Sequence, residues 1–220
     1  MAGPQTTALQ PDLSAVPVFV INLDGSQNRM DMISARLAAQ KVAFDRVPAV
    51  DGRKLDLTGL ADDEACRREM GRSIQPGEVG CYLSHLKAMR AFLDSGAEYG
   101  VVLEDDAIPT PDFAATLAAL LPFLRANRHL GVDAINLGAS DFKYATRMAN
   151  VAKVTVLRAH RFPMLATAVL WSREGAESLL RDHDIVRYPW DNFLRMRLTR
   201  TLHGVIKQLV GHCRWRGRRE

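Results

Sequence analysis

Cysteine is scarce in this chain of 220 residues, and its three cysteines form no recognisable pattern. Cys66, Cys81 and Cys213 are odd in number and widely spaced, without a CxxC pair or a Cys/His finger. The spacing argues against both a disulfide framework and a structural zinc finger. The simplest interpretation is that all three are reduced thiols in a cytosolic compartment.

Long apolar runs are also missing. No run approaches the roughly 20 apolar residues that a membrane-spanning helix needs, so no such helix is expected. Residues 1–15 lack both a cationic segment and a long apolar core, so we expect no secretory signal. The proline and threonine content of residues 1–15 predicts a disordered lead-in, with structure beginning near Val16. We find no internal repeat and no low-complexity stretch.

What the chain does have is an ordinary globular composition with an uneven charge. Hydrophobic residues make up 47% and charged residues 25%, which fits one domain at residues 16–200. Residues 195–220 hold eight Lys or Arg and one Glu, so the net charge of +4 conceals a net charge of −3 over residues 1–194. We therefore separate residues 201–220 as a basic C-terminal tail.

Hydrophobic patterning predicts an alternation of strands and helices. This order is typical of an α/β fold with a mainly parallel central sheet. Strands are predicted at residues 16–23, 44–50, 99–103, 134–137, 151–157 and 166–171. Helices are predicted at residues 28–40 (with Asn28 as the cap), 62–70, 76–95, 111–124 and 173–181.

Three consecutive carboxylates, Glu104, Asp105 and Asp106, follow the apolar strand at 99–103. Adjacent anions repel one another and resist desolvation, so they need a cation or water. A divalent ion carrying a phosphorylated substrate would satisfy them, because hard cations prefer oxygen ligands. The alternative is a solvated acidic turn. Since ligands of parallel sheets bind beyond the carboxyl ends of the strands, we favour a binding site there, with Asn22 and Asp24 beside it.

The helix at 76–95 carries a serine and a histidine in succession. Neighbouring side chains on a helix point about 100° apart, so Ser84 and His85 cannot act as a nucleophile and its base. We expect Cys81, Ser84, His85 and Ala88 to form a small-residue face packed near the sheet. A catalytic role for His85 is the less favoured alternative.

Asp191 lies between aromatic residues in the sequence YPWDNF. Such surroundings raise carboxylate pKa values and suit a general base. The alternative is a helix N-cap, and the residues alone leave both open.

Several segments in the same order resemble glycosyltransferase family 25, the family of bacterial lipo-oligosaccharide galactosyltransferases and of collagen galactosyltransferases. The most specific are GEVGCYLSH at 77–85 and VLEDD at 102–106. Supporting segments are VFVINLD at 18–24 with Arg29, PAVDG at 48–52, AINLG at 134–138, TAVLWSREGA at 167–176 and PWD at 189–191. The resemblance covers residues 16 to about 195.

This resemblance implies a GT-A-type nucleotide-diphospho-sugar transferase fold. It also implies inverting transfer of a hexose, often galactose, from a UDP-sugar to a saccharide acceptor in lipopolysaccharide, lipo-oligosaccharide or surface-glycan biosynthesis. A divalent metal, Mn²⁺ or Mg²⁺, would neutralise the diphosphate leaving group.

On this interpretation, Asp106 binds the metal and Asp191 is the base that deprotonates the acceptor. Glu104 and Asp105 would reach metal-bound waters or the ribose. The remaining contacts to the UDP-sugar are assigned to Asn22, Asp24 and Arg29.

Other functions remain as alternatives. A receiver domain would need a phospho-accepting Asp about fifty residues after the acidic cluster, and residues 150–160 contain none. A catalytically inactive family member stays open. So does a phosphate-binding module that uses the basic tail for nucleic acid or membrane. We expect a cytoplasmic enzyme that contacts the anionic inner face of the membrane through the tail, where a lipid-linked acceptor is presented; a tail that only aids solubility is the alternative.

Overall fold

The computed structural model describes residues 13, 15–138 and 144–200, except the side chains of 199 and 200. The predicted tail and nearly all of the predicted lead-in therefore lie outside the described residues. The strands are β1 (Val18–Asn22), β2 (Asp45–Pro48), β3 (Tyr99–Glu104), β4 (Ala134–Asn136), β5 (Ala145–Val151), β6 (Val154–Ala159) and β7 (Ala168–Ser172). The α-helices are α1 (Gln27–Ala38), α2 (Asp63–Met70), α3 (Pro76–Asp94), α4 (Phe113–Ala126), α5 (Arg173–Arg181) and α6 (Trp190–Arg200), with 3₁₀ turns at Gly52–Lys54 and Arg128–Leu130.

Five strands form one central sheet in the order β2-β1-β3-β7-β4. β1 runs parallel to β2 and β3, whereas β7 is antiparallel to both β3 and β4. Four of the five strands therefore point the same way, which confirms the predicted mainly parallel sheet. Its architecture is compatible with a GT-A-like nucleotide-sugar transferase fold.

Strands β1, β3, β4 and β7 are largely apolar and buried on both faces of the sheet, whereas Asp45 and Arg46 of the edge strand β2 are exposed. Every residue of β1 is buried, and successive side chains enter opposite cores. Val18 and Val20 pack in the core shared with α1 and α4, while Phe19 and Ile21 pack in the core shared with α3. Each buried side chain of this size contributes about 1.5–3 kcal/mol through lost apolar exposure, so this two-sided burial fixes the strand register.

The first helix begins earlier than predicted, and Asn28 is not its cap. Gly25 takes a positive φ of 88°, and the backbone N–H of Ser26 donates to the carbonyl of Leu23. This tight turn after β1 lets the helix start at Gln27, which places Asn28 inside the first turn.

The predicted strand at 151–157 is also wrong in its bounds. Residues 152–153 form a turn, with Ala152 at a φ of 50°, and this turn joins β5 to β6 in a separate two-stranded antiparallel sheet. Together with the reversed β7, this hairpin breaks the simple alternation of strand and helix. The helices predicted at 62–70, 76–95 and 173–181 are confirmed within one residue at each end.

None of the helices within the described ranges combines the length and the hydropathy that crossing a membrane requires.

Candidate active site

A cavity of about 460 Å³ opens where the parallel strands β1, β2 and β3 end. This is the edge at which ligands of open α/β sheets bind. The titratable side chains in its wall come from four separate parts of the chain. They are Arg29, Asp51, Arg53, Cys81, His85, Glu104, Asp105 and Asp106.

Asp105 is buried and fully paired. One of its carboxylate oxygens accepts a hydrogen bond from Nδ2 of Asn22 at 2.8 Å, and the other accepts from Nη1 of Arg29 at 3.3 Å. Asn22 is in turn held in place, because its Oδ1 accepts from Nε of Arg46 at 3.0 Å. The fold therefore neutralises the middle carboxylate of the cluster.

Asp106 has the opposite surroundings. Its Oδ1 is buried and has no hydrogen-bond partner within the described residues. Burial raises the pKa of Asp106, and the neighbouring carboxylates of Glu104 and Asp105 raise it further. A divalent cation fits such a site, because it would pair Oδ1 of Asp106 and offset the repulsion among the three carboxylates.

Glu104 is held by a histidine. Its Oε1 lies 3.1 Å from Nε2 of His85, which is 2% exposed. The imidazole stacks on the indole of Trp190 with ring centroids 4.6 Å apart and planes 11° from parallel. Trp190 thus fixes the ring of His85, and His85 fixes the carboxylate of Glu104.

The helix face around His85 is only partly the packed face that the sequence predicted. Ser84 is buried and serves the backbone, since its Oγ accepts from the N–H of Val50 at 2.8 Å and donates to the carbonyl of Gly80 at 2.6 Å. Ser84 and His85 have separate partners, as expected for helix neighbours. Ser84, His85 and Ala88 are buried as predicted, whereas Cys81 departs from the prediction and lines the cavity, as the edge of His85 also does.

Two glycines let the loop after β2 lie against the start of α3. A Cβ at Gly80 would meet the carbonyl oxygen of Val50 at 2.5 Å, and a Cβ at Gly52 would meet that of Pro76 at 1.7 Å. This close backbone contact brings Asp51 and Arg53 to the cavity that Cys81 and His85 also line.

A second cavity of about 340 Å³ adjoins the first and shares Cys81 and Glu104 with it. Its wall includes Asp191, Trp190 and the pair formed by Arg72 and Glu78, whose two hydrogen bonds measure 2.6 and 2.8 Å. Burial raises the pKa of the Cys81 thiol, and so do the surrounding carboxylates, Glu104 first among them. The wall common to both cavities is therefore acidic.

Asp191 does not cap its own helix. It is the second residue of α6, and its two oxygens accept the backbone N–H groups of Leu165 at 3.1 Å and Ala166 at 3.0 Å. Leu165 has a positive φ of 73°. The carboxylate thus holds the loop that leads into β7, so the N-cap interpretation is wrong.

The structure brings together five of the seven site residues predicted from the sequence. Arg29 joins the acidic cluster in the first cavity, and Asp191 lines the second. Asn22 lies behind Asp105 rather than in the wall of either cavity. The side chain of Asp24 is 80% exposed and lies outside both cavity walls. It pairs with Arg46, because the pairing of β2 with β1 brings Arg46 close to the end of β1.

Sequence reasoning did not assign Cys81, Trp190, Asp51 or Arg53 to the site, and it kept a role for His85 only as the less favoured alternative. The available signal was the spacing of Cys81 and His85, which are four apart and so share a helix face next to a strand ending in Glu104. The stacking of Trp190 on His85 depends on the placement of α6, which local patterns do not predict.

Comparison with known proteins identifies a family and relatives that match most of the chain. The family model described as "Glycosyltransferase family 25 (LPS biosynthesis protein)" matches residues 15–193. Procollagen galactosyltransferase 1 of Danio rerio is 27% identical over 187 residues, which cover 80% of this chain and 30% of that protein. Procollagen galactosyltransferase 1-A of Xenopus laevis is 28% identical over 192 residues, which cover 84% of this chain and 31% of that protein.

A relative named as inactive is equally similar. The "Probable inactive glycosyltransferase 25 family member 3" of Bos taurus is 30% identical over 189 residues, covering 80% of this chain and 31% of that protein. The chain spans less than a third of the length of these three curated relatives.

Proposed function

This chain belongs to glycosyltransferase family 25, and we propose that it transfers a hexose such as galactose from a UDP-sugar to a saccharide acceptor. The transfer would invert the configuration at the anomeric carbon of the hexose. The observation that supports this most is Asp106, whose buried oxygen has no partner among the described residues and lies at the edge of the sheet where ligands bind. Biosynthesis of lipopolysaccharide, lipo-oligosaccharide or another surface glycan is the proposed setting, in line with the description of the matching family.

The first cavity is the proposed donor site. Asp106 would hold a divalent metal, Mn²⁺ or Mg²⁺, and such an ion supplies neutralising charge for a diphosphate leaving group. Arg29 is 62% exposed and binds Asp105 through one N–H group. Because a guanidinium has five N–H donors, Arg29 can also bind a phosphate oxygen. Asn22 does not line the cavity, and its part is to hold Asp105 in position by a hydrogen bond.

The second cavity is the proposed acceptor site. It shares Glu104 with the first cavity, so an acceptor hydroxyl there would lie beside the sugar of a bound donor. Asp191 lines this cavity, and each of its oxygens keeps one lone pair beyond the N–H group it accepts. In an inverting displacement, the acceptor oxygen bonds to the anomeric carbon as the bond to the diphosphate breaks, and Asp191 takes the hydroxyl proton.

We place the enzyme in the cytoplasm, in peripheral contact with the inner face of the membrane. The support is the eight Lys or Arg residues against one Glu at 195–220. Lys and Arg near an anionic leaflet each contribute about 1 kcal/mol of binding.

An inactive family member is the second candidate, because a relative with that name is 30% identical to this chain. Hydrolysis of UDP-galactose and UDP-glucose by the purified full chain separates the two functions. We expect UDP release that requires Mn²⁺ or Mg²⁺ and stops when the metal is chelated. Absence of UDP release with either sugar and either metal, in a folded chain that still binds UDP, would favour the inactive member.

A further inference from the structure

Three side chains of different chemistry meet where the two cavities join. The thiol of Cys81, a ring nitrogen of His85 and a carboxylate oxygen of Glu104 all lie within 4.8 Å of one another. Cys81 and His85 are four residues apart on α3, so they face the same direction, and Glu104 ends the adjacent strand β3.

Sulfur, imidazole nitrogen and carboxylate oxygen are the three ligand types of zinc. Tetrahedral ligation with Zn–S near 2.3 Å and Zn–N or Zn–O near 2.0–2.2 Å separates ligand atoms by about 3.3–3.7 Å. Nε2 of His85 and Oε1 of Glu104 are 3.1 Å apart, and no two ligand atoms of the group are more than 4.8 Å apart, so side-chain shifts of about 1 Å reach that spacing. Three protein ligands leave a fourth position, which here opens to the cavities.

The group is held before any ion arrives. His85 is 2% exposed, stacked on Trp190 and hydrogen-bonded to Glu104, so little freedom remains to be lost on ligation. Cys81 faces both cavities and lies in reach of an incoming ion.

The charges near the thiol favour a cation. Four nearby carboxylates, those of Glu104, Asp191, Asp106 and Glu78, each disfavour a negative charge on the thiol of Cys81 and so raise its pKa. Arg72 neutralises Glu78 through its two hydrogen bonds. The other three leave a local excess of negative charge at the junction of the cavities.

We propose that Cys81, His85 and Glu104 form a binding site for a thiophilic divalent cation such as Zn²⁺, distinct from the hard-ion position at Asp106. The thiol loses its proton to solvent as the metal–sulfur bond forms. His85 ligates through an unprotonated ring nitrogen, so its hydrogen bond to Glu104 breaks and any proton on that nitrogen moves to the other ring nitrogen or to solvent. Soft thiolate and imidazole ligands select Zn²⁺, whereas carboxylate and water select Mn²⁺ and Mg²⁺. Because Glu104 belongs to both sites, zinc in this site withdraws Glu104 from the donor cavity.

Differential alkylation of the reduced, metal-free full chain tests the site with Zn²⁺ alone as the probe. Peptide mass spectrometry follows the rate at which iodoacetamide labels Cys81. At free Zn²⁺ of about ten times its Kd, the rate should fall by roughly tenfold, since only the unoccupied fraction reacts. Mn²⁺ at the same concentration should leave the rate unchanged.

Two variants separate the site from its neighbour. His85→Gln should abolish protection at that Zn²⁺ concentration, whereas Asp106→Asn should retain it. As a measurement that needs no variant, Co²⁺ added to the wild-type chain should give the intense near-ultraviolet band of a thiolate–cobalt bond, and Zn²⁺ should remove it.

The proposal is overturned if Zn²⁺ leaves the labelling of Cys81 unchanged in the wild-type chain. It is equally overturned if protection persists undiminished in a folded His85→Gln chain. These outcomes do not touch the sugar-transfer proposal, because none of the readouts depends on activity.

Discussion

At the scale of single residues, Asp105 and Asp106 are chain neighbours with opposite surroundings. Asp105 is paired with Asn22 and Arg29, whereas Asp106 keeps a buried oxygen without a partner within the described residues. The first arrangement anchors the turn after β3. The second leaves a carboxylate that the proposed cation would pair, and such pairing would let the turn tolerate three adjacent anions.

Asp191 is the residue on which the proposed proton transfer depends. Asp191→Asn should lower kcat by roughly 10²–10⁴, because that is the usual contribution of a general base. The affinity for UDP should change little, since Asp191 lines the second cavity and not the first. Steady-state transfer kinetics and calorimetric titration with UDP measure the two quantities.

A structural effect of this substitution must be separated from a chemical one, because Asp191 also holds Leu165 and Ala166. Thermal unfolding of the variant monitors the loop, and a lower kcat with unchanged cooperativity and UDP affinity would support the base. A variant with wild-type kcat would reduce Asp191 to its role in holding the loop.

The sequence pattern predicts the acidic cluster but not how each carboxylate is paired. Asp24 looked like a donor contact because it follows β1 directly. In the structure Arg46 pairs with Asp24 and with Asn22, because the parallel pairing of β1 and β2 sets Arg46 opposite Val20. Such pairings depend on strand register across the sheet, which local sequence does not encode.

At the scale of elements, the site depends on close contact between α3 and the loop after β2. Gly80→Ala should destabilise the fold by about 1–3 kcal/mol, the usual cost of overpacking. The added Cβ would lie 2.5 Å from the carbonyl oxygen of Val50 and 2.6 Å from the amide nitrogen of Gly52, and backbone cannot rotate away. Chemical unfolding of the full chain measures the loss.

Gly77 on the same helix is the matched control. A Cβ at Gly77 would meet nothing within 4 Å, so Gly77→Ala should be neutral or stabilising by up to about 1 kcal/mol through helix propensity. Equal effects of the two substitutions on the free energy of unfolding would show that the close contact does not matter.

Element prediction succeeded where the periodicity was strong and failed at the start of α1 and at one unusual turn. The helices at 62–70, 76–95 and 173–181 follow clear apolar stripes or capping residues. The turn at 152–153 contains neither glycine nor proline, and Ala152 adopts a positive φ that alanine rarely takes. No local signal marks such a turn, so the predicted strand at 151–157 ran through it and residues 145–150 of β5 were missed.

At the scale of the whole molecule, the parallel strands place both cavities at one edge of the sheet, and Glu104 borders both. The apolar pattern predicted this edge, because parallel strands end on the same side. It did not predict the reversed β7, which lies between β3 and β4. A strand buried on both faces reads the same in either direction.

The basic C-terminal segment gives a prediction for the molecule as a whole. The full chain should sediment with anionic vesicles at low salt and dissociate at high salt, because screening weakens the attraction of Lys and Arg to the leaflet. Deletion of residues 207–220 should remove this binding. Sedimentation that is absent at low salt, or that survives the deletion, would contradict membrane contact through the tail.

Mn²⁺-dependent binding of UDP to the Asp106→Asn chain tests the central claim most directly. Asp94→Asn is the control, because Asp94 is an exposed carboxylate at the far end of α3. Calorimetric titration should show Mn²⁺-strengthened UDP binding in the wild-type and Asp94→Asn chains, and none of that strengthening in a folded Asp106→Asn chain. Unchanged Mn²⁺-dependent affinity in Asp106→Asn would contradict the account.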